Sequence, residues 1–187
     1  SGGIQNTLVY NNTVYISSNT KGAGIVDFPA DNTGNSYIYD TKIYNNIIAT
    51  AQGKKVIDIP IPSNEWTFKG NCYWTYGDQI EIAWNRKTYT NLEEWRNATD
   101  QEALNGNPVG FEVNPKLIKP GDGCTIGDPN RLASLKNYEL QQDSPLIDNA
   151  LHLKELFKID PGSRDFYGTI LPQFSGYDIG ACELIQR

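Results

Sequence analysis

The chain has 187 residues, 22 of them Asp or Glu against 16 Lys or Arg, for a formal net charge of −6 at pH 7 and a pI near 4.8. Its Lys and Arg form nothing longer than adjacent pairs, which argues against a nucleic-acid partner, because a polyphosphate needs a basic stripe. No apolar run approaches the ~18 residues of a membrane helix, and no charged-then-apolar leader opens the chain.

The composition, 39% hydrophobic and only 20% charged, with Asn, Gly, Thr, Ser and Tyr abundant, favours strands and turns over helices. The first predicted strands are Leu8 to Ser17, Gly24 to Phe28, Tyr37 to Ala51 and Val56 to Ile61, divided by polar corners. Pro29 to Ser36 reads as a loop, and Pro60 and Pro62 close this regular stretch. Within the strands a motif recurs. Val9-Tyr10-Asn11-Asn12-Thr13-Val14 returns as Ile43-Tyr44-Asn45-Asn46-Ile47-Ile48 and, more weakly, as Phe68-Lys69-Gly70-Asn71-Cys72-Tyr73. The corners fall 34 and then 25 residues apart, inside the roughly 20 to 50 expected of stacked repeats. Asn and Gly are the residues that best tolerate the left-handed backbone of a tight bend. Strand, corner and strand at such intervals predict an all-β fold, a parallel β-helix solenoid over residues 1–84. Ser1 to Asn6 already reads as mid-coil, so further coils are expected to cover the unpaired edges of the first rung.

Trp66 to Trp84 is dense in aromatic residues, and Tyr89 and Trp95 continue the series. Thr90-Asn91-Leu92-Glu93 then reads as a capping box with Thr90 as the cap, opening a helix of about two turns with Leu92 and Trp95 on one face. Asp128-Pro129-Asn130-Arg131-Leu132 carries a second helix start, with Leu132 and Leu135 facing inward. Asp148 to Phe157 predicts a third short helix, ended by Pro161 and Gly162. Residues 85–187 are therefore expected to form an irregular C-terminal capping region, with short helices and a closing strand, on the same solenoid.

These later segments also carry a resemblance. Asn91-Leu92-Glu93-Glu94-Trp95, Phe111-Glu112-Val113-Asn114-Pro115, Tyr138-Glu139-Leu140, Ser144-Pro145-Leu146-Ile147-Asp148, Asp165-Phe166-Tyr167-Gly168 and Asp178-Ile179-Gly180-Ala181-Cys182-Glu183 follow in a familiar order. It resembles that at the C-terminal end of the right-handed parallel β-helix repeat proteins of bacterial surfaces and secretomes, which include polysaccharide lyases and glycoside hydrolases. The chain departs from that group at Asn107-Pro108-Val109-Gly110-Phe111, where Asp-Pro-Leu-Phe is usual, and at Cys182, where an aromatic is common. The resemblance implies a secreted, periplasmic or cell-surface location and a polysaccharide or oligosaccharide partner. Ser144 to Asp148 and Asp178 to Glu183 read as devices that cover the last coil.

Catalytic signals are sparse. The single histidine, His152, lies between Leu151 and Leu153 in a predicted helix and suits packing or the surface, and no GxSxG elbow surrounds a serine. Glycoside hydrolysis needs two carboxylates about 5 to 9.5 Å apart, and the Asn-Thr-Asp, Asp-Asp, Gly-His-Gly and Arg-x-Lys signatures of the pectinase type are absent. A lyase would set a basic residue beside calcium-binding carboxylates. Asp27, Asp40 and Asp58, with Lys42, Lys54 and Lys55, lie in or beside the coils, and Asp58, Lys54 and Lys55 are the candidates, with a solvated exterior the plainer account. Gly121-Asp122-Gly123 and Gly127-Asp128 lack the Asp ladder of a calcium loop. No cofactor is expected, calcium being the one ion the resemblance brings in. Asp160, Arg164 and Asp165 are expected to pair. Cys72, Cys124 and Cys182 form an odd set without a CxxC pair, which speaks against zinc and for buried thiols.

The aromatic stretch is the best candidate site. Sugars lay their apolar faces on Trp and Tyr rings while polar groups take the hydroxyls, and Trp66, Trp74, Tyr76 and Trp84, with Asp78, Glu81 and Arg86, fit that description. The same rings can equally cover a core. The expected function is the C-terminal portion of an extracellular β-helix protein that binds or degrades polysaccharide, with the full catalytic site elsewhere; the alternative is a non-catalytic structural or adhesin-like module.

Overall fold

The computed structural model describes residues 4–27, 38–62, 65–122, 128, 130 and 135–185. It is mostly strands in parallel sheets, with few helices. In chain order the strands are β1 (Ile4–Gln5), β2 (Leu8–Tyr10), β3 (Thr13–Ile16), β4 (Ile25–Val26), β5 (Ile38–Tyr39), β6 (Thr41–Tyr44), β7 (Ile47–Thr50), β8 (Ile57–Ile59), β9 (Trp66–Lys69), β10 (Cys72–Thr75), β11 (Ile82–Trp84) and β12 (Lys87–Tyr89). There follow helix α1 (Leu92–Thr99), the short hairpin β13 (Ala103–Leu104) and β14 (Asn107–Pro108), a 3-10 turn at Lys136–Tyr138 and helix α2 (Leu153–Phe157).

The chain visits three sheets in the same order three times. The sheets are β2-β6-β9, β3-β7-β10 and β4-β8-β11, the last extended by β12. Every pairing between successive passes is parallel and in register: Val9 lies beside Ile43 and Ile43 beside Phe68, Val14 beside Ile48 and Ile48 beside Tyr73, Ile25 beside Ile57 and Ile57 beside Ile82. The three copies of the repeated motif thus occupy equivalent places in three neighbouring layers.

The two residues of each corner do different work. Asn11 and Asn45 take φ of 52° and Gly70 takes 72°, the left-handed conformation that these residue types adopt at least cost. The second residue stacks. The Asn12 amide donates to Asn46 Oδ1 at 3.0 Å and the Asn46 amide to Asn71 Oδ1 at 2.9 Å. Each lower side chain also donates back to the layer above, Asn46 Nδ2 to Val9 O and Asn71 Nδ2 to Ile43 O. Asn46 and Asn71 are buried, and the ladder supplies the partners that a buried amide needs.

One apolar cluster draws on all three sheets through Ile43, Ile48, Ile57, Phe68, Tyr73 and Ile82. Its last layer is closed by α1. Trp95, 0% exposed, sets its ring against one ring from each sheet: Phe68 at 5.4 Å, Trp84 at 5.6 Å and Tyr73 at 6.0 Å. Leu92 and Trp95 are the buried residues of this helix, as the i, i+3 spacing anticipates. The cap is one residue later than expected. Asn91, not Thr90, is extended and accepts from the Glu94 amide at 2.8 Å, while the Leu92 amide donates to Glu112 Oε2 at 2.7 Å. That side-chain acceptor for the first helical amide comes from outside the helix.

A second cluster lies on the other side of the middle sheet, where Ile47, Ala49 and Cys72 meet Leu117, Leu140, Leu146 and Ile179 from the tail. β7 is consequently buried along its whole length, which explains the unbroken apolar run Ile47-Ile48-Ala49. The tail is fastened by carboxylates that accept backbone amides. Asp178 takes the amides of Asp148 and Leu184 at 2.8 Å each, Glu183 those of Gln173 and Asp178, and Asp165 those of Tyr167, Thr169 and Glu183. Asp178 to Leu184 is therefore held by side chains rather than by a strand ladder. α2 covers only Leu153–Phe157 and stops at Lys158, which is left-handed at φ 60°, before Pro161 is reached. The loop at Pro29 to Ser36, Cys124, and Pro129, Arg131 and Leu132 of the second predicted helix start lie outside the described residues, while Asp128 Oδ1 accepts from the Asn130 amide at 2.9 Å, as a capping Asp would.

Candidate functional site

Alternation along β3, β7 and β10 sends every second side chain out of the middle sheet. Thr13, Ile47 and Cys72 form one outward column and Tyr15, Ala49 and Trp74 the next. The tail covers the first. At the second, Tyr76, just past β10 and 41% exposed, sets its ring edge-on to Tyr15 at 6.0 Å and to Trp74 at 6.4 Å. A groove of about 590 Å³ opens here between Tyr15, Tyr76, Asn114, Lys116, Gln141 and Asp143.

The polar groups of the groove are neutral or paired. Lys116 pairs with Asp143, and Lys119 with Asp122. Asn114 Oδ1 accepts from the Lys116 amide at 2.9 Å, which leaves its NH2 as a donor. Gln141 Nε2 donates to Leu117 O at 3.0 Å. Burial pushes the Tyr76 phenol up to about 12, so it stays a neutral hydroxyl. Among the described residues the one carboxylate lining the groove is Asp143, held by a lysine, whereas glycoside hydrolysis uses two. The arrangement can stack a ring and exchange hydrogen bonds, and it assembles no acid–base pair.

The seven sequence-predicted residues do not form one site. Tyr76 lines this groove, and Trp74 meets it only through its ring contact with Tyr76. Trp66 and Trp84 are each 7% exposed and sandwich Phe68 in the interior, at 5.8 and 5.7 Å. Asp78 and Arg86 are exposed, Arg86 in the β11–β12 turn at φ 60°, and Glu81 lies 3.8 Å from Lys55.

Of the basic candidates, Lys55 also pairs with Asp58 at 3.2 Å, and Lys54 donates to Thr20 O at 2.7 Å. Both amines are engaged, and they point to different partners. Lys42 pairs with Asp40. The expected association of Asp160, Arg164 and Asp165 does not form, because Arg164 donates to Gly168 O at 2.7 Å and Asp165 is occupied by amides. His152 packs edge-on to Tyr177 at 5.3 Å. Cys72 and Cys182 are free, buried thiols that burial pushes up to about 12, far from the range of a reactive thiolate. Among the described residues no group of three or more His, Cys, Asp or Glu could hold a metal ion, and no helix is long and apolar enough to cross a membrane.

One polar group was missed by sequence reasoning. Glu102 is fully buried and left-handed at φ 51°, and its carboxylate accepts from Asn71 Nδ2 at 2.6 Å and from the Tyr73 hydroxyl at 2.7 Å. Burial pushes it up to about 7, the range of a general acid or base, but it is sealed from solvent. Gly110 presses on it so closely that a Cβ there would stand 2.7 Å from the carboxyl. Its place is structural, at the end of the asparagine ladder.

No protein-family model matches the chain, and no curated protein matches it.

Proposed function

We propose that this chain is the C-terminal portion of a right-handed parallel β-helix protein of the cell exterior, and that the groove over its middle sheet binds polysaccharide. Three passes through three parallel sheets, with one asparagine ladder threading all layers, support the solenoid reading. The sugar reading rests on Tyr76, a large ring left exposed beside Tyr15 and Trp74 on a surface of neutral amides and paired charges, since sugar rings stack on such platforms. Binding rather than cleavage fits a groove with one carboxylate, and the reacting groups of a lyase or hydrolase would belong to other coils of the same protein.

Tryptophan fluorescence titration against neutral and uronate polysaccharides, with Tyr76→Ala alongside, tests the groove. The expected result is a saturable change that Tyr76→Ala weakens about tenfold, a loss of one stacked ring. No response to any glycan would remove the sugar reading and leave the second one, a structural or adhesin-like module. That reading is favoured by Trp66, Trp84 and Trp95, three of the four tryptophans, all buried in the core.

A further inference from the structure

The two ends of the layer stack are chemically unlike. At the far end the ladder is terminated: the Asn71 amide and side chain turn to Glu102, and Trp95 plugs the interior. At the near end nothing among the described residues continues it. Asn46 uses its whole amide, accepting from Asn12 N and Nδ2 and donating to Val9 O, Tyr44 O and Asn71 Oδ1. Asn12 reproduces only part of that set. Its Nδ2 donates to Tyr10 O and Asn46 Oδ1, while its Oδ1 accepts from none of the described residues and the side chain is exposed.

The strands of this layer have the same incompleteness. β2, β3 and β4 each stand at the edge of a sheet. None of their described residues is buried, whereas β7 in the next layer is buried throughout. Leu8 and Val26 are among the exposed large apolar side chains. Alongside Thr13 and Tyr15, a groove of about 350 Å³ lined by Leu135, Tyr138, Phe166 and Tyr167 carries the outer apolar cluster past the edge of β3.

We propose that this open end is a docking surface for one more β-coil, laid parallel on β2, β3 and β4. Its corner amide donates to Asn12 Oδ1, its backbone carbonyl accepts from Asn12 Nδ2, and its outward side chain fills the groove beside Thr13. The inference rests on the stacking part of the reading above and names the partner by its chemistry. The interface it invokes is already made twice in this molecule, Asn12 on Asn46 and Asn46 on Asn71, and the docked coil repeats that interface by translation. A second copy of the chain cannot supply it head to tail, because the complementary end is closed by Glu102 and Trp95. The occupant is therefore an extended segment with a left-handed Asn or Gly followed by a residue with a free backbone amide, in the manner of the Asn11-Asn12 corner.

The test is a variant with a second copy of residues 1–34 placed directly before Ser1, which sets an added Asn-Asn corner 34 residues ahead of Asn12, the spacing at which Asn12 stacks on Asn46. The expected result is at least tenfold slower amide exchange at Leu8 to Tyr10, Thr13 to Ile16 and Ile25 to Val26. Asn12→Ala should also lower the urea midpoint more in the longer variant than in the original chain. Added residues that exchange as unfolded chain, with Asn12→Ala acting equally in both, would overturn the proposal. So would a concentration-dependent dimer of the original chain that protects the same amides, which assigns the edge to self-association. Asn46→Ala in the original chain separates the two levels: if it costs stability while the added copy stays unfolded, the ladder stands and only the docking falls. Glycan titration reads the sugar groove independently of both.

Discussion

Asn71 donates its side-chain amide to Glu102 at 2.6 Å, so a carboxylate occupies the place where a fourth ladder asparagine would stand. The Asn71 backbone amide points at the same group, 3.3 and 3.4 Å from its two oxygens. A carboxylate accepts and, when ionised, does not donate. The ladder, which passes a donor from each layer to the next, ends there.

That ending makes stability depend on pH. Burial raises Glu102 from an ordinary 4.5 to about 7 in the fold. The unfolded chain therefore ionises it first, and the contribution of the protonated group is full below 4.5 and lost as pH rises through about 7. The shift corresponds to about 3 kcal/mol. Urea midpoints measured from pH 4.5 to 8 should fall more steeply for the native chain than for Glu102→Gln, whose amide cannot ionise. Identical pH slopes in the two proteins would contradict this.

Asn46→Ala removes a buried amide with five hydrogen-bond contacts and strands the Asn12 backbone amide, whereas Tyr44 O keeps the Asn11 amide at 3.2 Å. The expected cost is about 3 kcal/mol, because orphaned buried groups forfeit their solvation. The same change at the exposed Asn12 should cost less than about 1 kcal/mol. Chemical denaturation of both variants checks the contrast, and equal effects would mean that the ladder carries no special weight.

Trp95→Ala empties the space between Phe68, Tyr73 and Trp84. A loss of about 3 to 5 kcal/mol is expected for so large a buried ring. Trp74→Ala, at a half-buried outer position, should cost distinctly less. Calorimetric melting points in the reverse order would show that the interior is not sealed by α1.

Gly180→Ala tests how the tail meets the sheet. At φ 102° an added Cβ would lie 2.7 Å from Ile47 Cδ1 and 2.8 Å from Thr13 Oγ1. Both are strand residues with little room to yield, and the conformation itself disfavours a side chain. The change should destabilise by about 2 kcal/mol or more, read as earlier loss of near-UV dichroism on heating; an unchanged melting curve would contradict the contact.

The layered strands were legible because their signal is local and repeated: Asn11-Asn12 and Asn45-Asn46 announce a bend wherever they stand. Which Asn bends and which stacks was not, since the difference lies in neighbours 34 and 25 residues away. Leu92 and Trp95 were readable from spacing, but the cap was not, because Thr90 and Asn91 are both able caps and Glu112 tips the balance from a distant loop. The aromatic stretch concealed its own division. Trp66 and Trp74 look alike in sequence, yet strand parity sends one inward and the other out. Glu102 gave no signal at all, sitting in a polar run whose burial is decided by Gly110 and Asn71 closing over it.

The two-sided burial of β7 makes the tail a shield as well as a cover. If Leu117, Leu140, Leu146 and Ile179 were lifted away by a cut in the preceding segment, Ile47, Ala49 and Cys72 would face water together. A flat, uncharged strand surface of that kind recruits other strands. Shortened forms of this protein should clump rather than persist as trimmed monomers, and a thiol dye that ignores Cys72 in the intact chain should label it promptly once the shield is gone.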